Sequence, residues 1–444
     1  MSITRELYNT YEDIVMKNKD AFLKDYSQVM QRVEESPAKY KGNPVEFLYQ
    51  PMLLGEDDFK RFKSLTDQLI KILNKVINKY IEDEKFRSYF GFSPLLEQLI
   101  LKDPGYSINI PMGRFDIFYN LDGSFQFCEL NADGSSGMVE ARELQKIIGE
   151  SFAVDKLKKS HILQDFELFD SWAEALLTNY REFSKSEDKP QIAIIDWLDG
   201  NPPSEFVEFK KTFENFGCKT VIADPRDLVY RDNKLYYGDF RIDCIYRRAV
   251  TWEIIEKQDE VKDFINAYLD GNICVVGSIR SQVIHNKIIF AILHDSTKTP
   301  FLTEEEREFV KKHIPYTTIF NIENEELLEF TISNKDELVL KPMDKYASRG
   351  VRIGADFTKE EWKNIIKKEA KDEYILQQFC KIPKLPMAMV KDNDIKFVEN
   401  NYLIGLFMYN GKLQGLYTRT GTKNIIGSIV ECYTVPNFIV SKNV

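Results

Sequence analysis

RFDIFYNLDGSFQFCELN, residues 114–131, consists of two short apolar-alternating segments joined by Leu121-Asp122-Gly123-Ser124. Asp-Gly between such alternations is a strong hairpin signal. Residues two apart on a strand share a face, so Arg114 goes with Asp116 and Glu129 with Asn131. If the two segments pair across the turn, both sets can lie on one face. Two carboxylates plus an amide carbonyl are hard oxygen ligands suited to Mg²⁺ held against phosphates. An arginine beside them can neutralise a transferring phosphoryl group. A strand end carrying solvated polar residues gives the same short pattern.

Further along, Leu338-Val339-Leu340-Lys341-Pro342 carries a lysine on an apolar strand, and DKYASRGVRIG at 344–354 follows it. Backbone N–H groups of such a loop, around Gly350, can lie against phosphates while Lys341 pairs with their charge. An ordinary hairpin with an exposed lysine reads the same way. Asn286-Lys287 opens the helix-like NKIIFAIL. A lysine at the positive end of a helix is unusual and fits a phosphate partner. Tyr374–Phe379 reads as a strand whose backbone at Leu376 and Gln377 can meet an adenine edge, or simply as a buried strand. Arg419, in LYTRTGTKNIIG at 416–427, is a second candidate phosphate or substrate clamp. Arg247 and Arg248 are adjacent and point to opposite faces of a strand, so at most one lines a cleft, and solvent-exposed positions are the simplest reading of all three arginines.

Around these motifs the chain divides into four parts. Residues 1–105 are helical, with apolar stripes such as Phe62, Leu65, Leu69, Leu73 and Val76. Residues 106–190 hold the hairpin and then helical sequence from Val139 to Phe183, ending in the polar linker KSEDKP. Residues 191–277 alternate strand and helix (IAIIDWL, Glu205–Phe216, KTVIADP, ICVVG), as in a small, partly parallel α/β layer. No GxGxxG follows its first strand, so a dinucleotide fingerprint is absent. Residues 278–444 mix helices with antiparallel strands, and Thr303 with Glu306 and Thr358 with Glu361 form capping-box patterns. The fold class expected is α+β with an α/β layer.

Composition narrows the function. The 444 residues include 43% apolar and 29% charged residues, with a formal net charge of −10. That balance argues against a general nucleic-acid or anionic-membrane binder, but not against a phosphate pocket built from two lysines and an arginine. The six cysteines are scattered, which reads as reduced thiols in a cytoplasmic protein. The four histidines form no HExxH, so a zinc enzyme is not expected. The N-terminus carries early acids and does not read as a signal peptide, and no window approaches an uninterrupted membrane span.

Taken in chain order, these motifs resemble the circularly permuted ATP-grasp proteins, in particular the synthetase domain of glutathionylspermidine synthase and its bacterial relatives. The resemblance rests on RFD with ELN, the ADP and IYRR segments (Asp224, Arg247), NK (Lys287), LTEEE…IPYT with VLKP, and TRTGTKNIIG, spanning about residues 106–430. It implies a circularly permuted ATP-grasp domain, a small α/β domain of the pre-ATP-grasp kind at 191–277, and a helical N-terminal region. It implies ATP and Mg²⁺ as cofactors, with Asp116, Glu129 and Asn131 as metal ligands. Lys287, Lys341, Gly350, Leu376 and Gln377 would bind the nucleotide, and Arg114 and Arg419 would act in catalysis. The implied reaction joins a small-molecule carboxylate, through an acyl phosphate, to an amine of peptide or polyamine kind. A phosphotransferase or a non-catalytic nucleotide-binding module would use the same set, and the oligomeric state stays open.

The sequence departs from the family pattern at Tyr346-Ala347-Ser348-Arg349-Gly350, where relatives are richer in glycine. Side chains there restrict close backbone approach to phosphates. Nothing in the chain resembles an amidase half with a cysteine nucleophile and partner histidine, so a bifunctional synthetase-amidase is not expected.

Overall fold

The computed structural model describes residues 3–345, 348–369, 373–427 and 431–443. Tyr346 and Ala347 of the glycine-poor loop lie outside the described residues.

The N-terminal apolar stripes form α1 (Ile3–Lys17) and α2 (Lys19–Glu35). A strand that periodicity does not announce, β1 (Met52–Gly55), follows with all four residues buried and runs directly into α3 (Glu56–Glu82). The start of α3 has no hydroxyl cap. Instead the Asp58 carboxylate accepts the Gly55 N–H at 3.1 Å, and Glu56, Asp57 and Asp58 sit at the positive end of the helix dipole. Phe62, Leu69, Leu73, Val76 and Tyr80 are buried along one face of α3, as the spacing predicts.

The expected hairpin is β2 (Met112–Tyr119) and β3 (Phe125–Asn131). Gly123 takes φ +86° in its turn, and Asp122 Oδ1 accepts from the Ser124 N–H (2.8 Å) and Oγ (2.6 Å). A bulge leaves Cys128 without a partner between the Asp116–Glu129 and Ile117–Phe127 pairs. It keeps Phe115, Ile117, Phe127 and Leu130 in the core while Asp116 stays opposite Glu129. Then come α4 (Met138–Gly149), β4 (His161–Gln164) and α5 (Asp170–Ser184). The short β4 breaks a stretch that reads as helix throughout.

After the 185–190 linker, β5 (Ile192–Ile195), β6 (Thr220–Ala223), β7 (Cys244–Arg247) and β8 (Cys274–Val276) form a parallel sheet in the order β8-β7-β5-β6. Its two central strands are wholly buried, as expected when helices cover both faces. Two short helices, α6 (Gln282–His285) and α7 (Ile288–His294), lead out of it, with Lys287 between them.

The last third builds two antiparallel sheets. Both predicted capping boxes form, at the starts of α8 (Glu304–His313) and α9 (Lys359–Glu369). In the first sheet, β9 (Thr317–Ile319), β10 (Leu338–Pro342), β11 (Arg352–Ile353) and β12 (Tyr374–Gln378) run in the order β9-β12-β10-β11. One face carries Leu338, Leu340, Tyr374 and Leu376 against Trp362 and Ile366 of α9, a core of its own.

The second sheet holds β13 (Lys384–Lys391), β14 (Asp394–Tyr409), β15 (Lys412–Gly421) and β16 (Tyr433–Val435). IKFVEN and YLIGLFMYN, which read as two strands, are the single 16-residue β14. Its first half pairs with β13 and its second half with β2. Among the described residues this gives six strands in the order β16-β15-β14-β2-β3, with β13 beside β14. Segments almost 300 positions apart in sequence thereby share one sheet. The final strand, β17 (Asn437–Lys442), pairs parallel with β1 and antiparallel with β4. That pairing is why two short segments without hairpin partners of their own are extended. Among the described residues no helix is long and apolar enough to cross a membrane, and all six cysteines are free.

Candidate nucleotide and metal site

The hairpin register sets Arg114 opposite Asn131 and Asp116 opposite Glu129. Arg114 donates to both oxygens of Asp116, from Nε at 2.9 Å and from Nη2 at 3.2 Å. This fork fixes the carboxylate in both position and plane. Its Nη1 donates to Ser136 O at 2.7 Å. Asn131 Nδ2 donates to Glu129 Oε2 at 3.2 Å, so the amide oxygen of Asn131 is the end left for another ligand. The cluster needs Gly405 of β14, which lies opposite Asp116. A Cβ there would stand 2.7 Å from Arg114 Cδ and 2.9 Å from Asp116 Oδ1. Its signal in the sequence is a glycine inside an apolar strand, which marks a close approach.

Distant segments bring in the cations. From β15, Arg419 Nη2 donates to Asp116 Oδ2 at 2.6 Å. Lys287 Nζ lies 2.9 Å from Glu129 Oε1 and donates to Lys345 O at 2.9 Å, while its backbone N–H donates to Met343 O at 2.9 Å. From β10, Lys341 Nζ donates to Gln377 Oε1 at 2.7 Å and to Cys128 O at 3.2 Å. Arg114, Asp116, Glu129, Asn131, Lys287, Lys341 and Arg419 thus converge between the two antiparallel sheets. Burial works to raise the Glu129 carboxyl, but Lys287, Lys341 and His285 outweigh it and hold it at about 2. Burial likewise opposes the charge on Arg114, and Asp116 more than restores it.

The two loops predicted to meet phosphates also meet each other. Ser348 takes φ +58° and Gly350 φ +75°, and a Cβ on Gly427 would stand 2.9 Å from Ser348 Oγ. Ser348 of the first loop therefore closes on Gly427 of the second. The adenine expectation needs correction in its geometry. Leu376 and Gln377 lie in β12, which is paired with β9 on one side and β10 on the other, so their backbone groups face ladder partners and not an open edge. Leu376 points into the core with Trp362, and only Gln377 faces the cleft, holding Lys341. The chain leaves this ladder at Phe379. An apolar cluster of Cys128, Ile382, Leu403 and Ile426, joined by Phe118, Phe379 and Cys432, packs together there, and the Cys128 carbonyl accepts from Lys341.

Arg247 and Arg248, read as exposed, are both buried, because each meets a carboxylate from another element. Arg247 Nη1 pairs with Asp133 at 2.5 Å with both side chains 0% exposed, and Arg248 pairs with Glu205 at 3.1 Å. Asp224 accepts from Arg226 and the Leu198 N–H, which gives it a local structural job. Sequence reasoning missed Tyr417 and Glu140. The Tyr417 hydroxyl donates to Glu140 Oε2, and the Tyr417 ring lies 5.2 Å from Arg114 Cζ and 5.8 Å from Arg419 Cζ. Burial raises the Glu140 carboxyl, only partly offset by Tyr417. It also missed His285, which accepts the Ala132 N–H at 3.4 Å and faces Asp344 at 3.8 Å.

The donor set fits a small divalent cation. Among the described residues no group of three His, Cys, Asp or Glu side chains could hold a metal. Asp116, Glu129 and Asn131 would together offer two carboxylates and one amide oxygen, with further oxygens supplied from outside the protein. Mg²⁺ sites completed by substrate phosphates have this form.

The family description "Circularly permuted ATP-grasp type 2" matches residues 51–414 of the chain. The chain belongs to this family. The meeting of an early hairpin and late strands in one sheet agrees with that family's permuted ATP-grasp fold. Among solved structures, a glutathione synthetase-like effector (GSS30) from Globodera pallida aligns with a TM-score of 0.57 at 10% identity, over 94% of this chain and 96% of that one. A candidate gamma-glutamylcysteine synthetase from Methylobacillus flagellatus aligns at 0.44 and 11% identity, over 86% and 88%. D-alanyl-alanine synthetase A from Vibrio cholerae aligns at 0.31 and 10% identity, over 57% and 89%. At 10% identity, the first of these similarities speaks to the fold alone. No curated protein matches the sequence.

Proposed function

We propose that this ATP-grasp protein is an ATP-dependent carboxylate–amine ligase that works through an acyl phosphate. The observation that carries the reading is the interlocked set of Asp116, Glu129 and Asn131 with Arg114, Arg419, Lys287 and Lys341 in one cleft. Asp116, Glu129 and Asn131 would hold Mg²⁺, which would supply charge neutralisation during phosphoryl transfer. Lys287 and Lys341 bind the phosphate chain, and the apolar cluster around Phe379 and Leu403 receives the base. Arg114, held in plane by Asp116, neutralises the carboxylate as it takes the phosphoryl group and steadies the oxyanion when the amine attacks. Arg419 closes the other side. This chemistry needs no protein nucleophile.

Peptide- or polyamine-like amines, including the glutathionylspermidine-like pair, are the candidates that the family resemblance suggests. The test is release of ADP and phosphate from ATP with Mg²⁺ in pools of amino acids, short peptides and polyamines, with hydroxylamine to trap an acyl phosphate. Amine-dependent release and a hydroxamate, both lost in Glu129→Ala, support the ligase. Phosphate transfer to a hydroxyl acceptor without hydroxamate supports the phosphotransferase, and tight nucleotide binding without turnover supports a binding module.

A further inference from the structure

At the far end of the β2–β3 hairpin, a cavity of about 650 Å³ lies between α3, the 121–124 turn, the last turn of α8 and the segment past β12. That volume is ordinary for a small-molecule site. Three cations from remote parts of the chain line it: Arg61 of α3, Lys312 of α8 and Lys381. All three are exposed, and among the described residues none of them forms an ion pair. Their immediate neighbours do: Lys60 pairs with Asp57 at 3.3 Å and Lys311 with Glu308 at 2.7 Å. Asp122, the acid on the cavity wall, is engaged by its own turn. Its Oδ1 accepts from Ser124, which holds the carboxyl low, with Arg61 a lesser contributor. The Arg61 guanidinium lies over that turn, where a Cβ on Gly123 would collide with Nη1. Like charges converging without protein partners repel one another, and a bound anion relieves the repulsion. A guanidinium fork with two ammonium groups suits the several oxygens of a phosphate.

The rest of the wall is apolar. Leu65, Phe118 and Phe125 line it, and the Phe125 ring is backed by His313, stacked at 4.2 Å and turned to the Phe125 carbonyl. Phe118 also belongs to the apolar cluster of Cys128, Ile382 and Leu403. Asn120, on the cavity wall, is four residues along β2 from Asp116, roughly 13 Å, so the three cations are not those of the carboxylate cleft.

We propose that this cavity binds a small phosphate ester, its phosphate held by Arg61, Lys312 and Lys381 and its apolar or aromatic body laid on Leu65, Phe118 and Phe125. The site is separate from the nucleotide cleft and does not rest on the ligase reading. The experiment is a titration of the full chain with phenyl phosphate, and separately with inorganic phosphate, followed by ³¹P NMR at low ionic strength, where exposed charges are least screened. Phenyl phosphate saturates one site with a Kd of about 1 mM, and inorganic phosphate binds about tenfold more weakly because it lacks the ring. Arg61→Gln, and independently Lys381→Gln, weaken phenyl phosphate by about tenfold while their thermal unfolding matches wild type. Lys341→Met leaves its affinity unchanged, and ADP does not displace it. Absence of saturable binding would overturn the proposal, as would wild-type affinity in both cavity variants. Loss of binding in Lys341→Met, or displacement by ADP, would assign the phosphate to the nucleotide cleft and overturn it too. Inorganic phosphate binding as tightly as phenyl phosphate would refute the apolar half of the site. Failure of the ligase reading leaves each of these outcomes unchanged.

Discussion

Gly405→Ala tests whether the Arg114–Asp116 fork is what makes the site. The backbone at 405 lies within β14, so alanine is conformationally welcome and should gain roughly 0.5–1 kcal/mol over glycine. The added Cβ, however, would stand 2.7 Å from Arg114 Cδ and 2.9 Å from both Arg114 Cγ and Asp116 Oδ1. Carbon pairs rest at about 3.5–4.0 Å, so the arginine stem must retreat by roughly 1 Å. Overpacking of this kind costs about 1–3 kcal/mol, and the steric term wins. The net expectation is a loss of roughly 0.5–2 kcal/mol in urea unfolding. Function should suffer more, because a displacement of about 1 Å in a positioned catalytic group can cost about 100-fold in rate. The assay is amine-dependent ADP release, with the affinity for Mg-ADP measured alongside. Turnover and Mg-ADP affinity both within about twofold of wild type would refute the claim that this glycine makes room for the fork.

Three other perturbations follow. Glu129 is held at about 2 against an unfolded value of 4.5, so its contribution is present above pH 4.5 and lost as pH falls through about 2. Lys287→Met should flatten the dependence of urea stability on pH across that window, and an unchanged slope would contradict the assigned ion pair. Asp196, at the end of β5, is pushed up to about 6 by burial, which outweighs Arg248. Its contribution is fullest below the unfolded value of 3.8 and is lost as pH rises through about 6, so Asp196→Asn should be more stable than wild type at pH 7–8, by roughly 1–3 kcal/mol. Asp133→Asn strands the buried Arg247 guanidinium and should cost about 3–5 kcal/mol, much of which Asp133→Asn with Arg247→Met should recover.

Local signals carried the hairpin, the capping boxes and the parallel layer. An Asp-Gly turn dictates its own geometry, a Thr-x-x-Glu satisfies its own helix end, and strands buried on both faces read as apolar runs. What failed to read were elements whose state depends on a remote partner. Nothing within Met52–Gly55 or His161–Gln164 announces a strand, because both are extended by the C-terminal Asn437–Lys442. Arg247 and Arg248 looked like surface residues because Asp133 and Glu205 are far away in sequence. The backbone at Leu376 and Gln377 read as open to an adenine edge because nothing local shows that β9 and β10 pair with it on both sides.

By itself the sequence determined two local pairs: the period of two puts Arg114 with Asp116 and Glu129 with Asn131, and the Asp-Gly turn joins the two segments, while the bulge at Cys128 is what sets Asp116 opposite Glu129. The sequence also supplied Lys287, Lys341 and Arg419 as candidate phosphate or substrate cations, with no indication of which protein groups they would face. Only the tertiary structure decided that Arg419 lies on Asp116 and Lys287 on Glu129, and that Gly405 leaves room for the fork. The physical reason is that side-chain direction along a strand is a property of the backbone. Which charges meet across a cleft, by contrast, is set by long-range pairing of β14 with β2 and by the packing of one sheet over another.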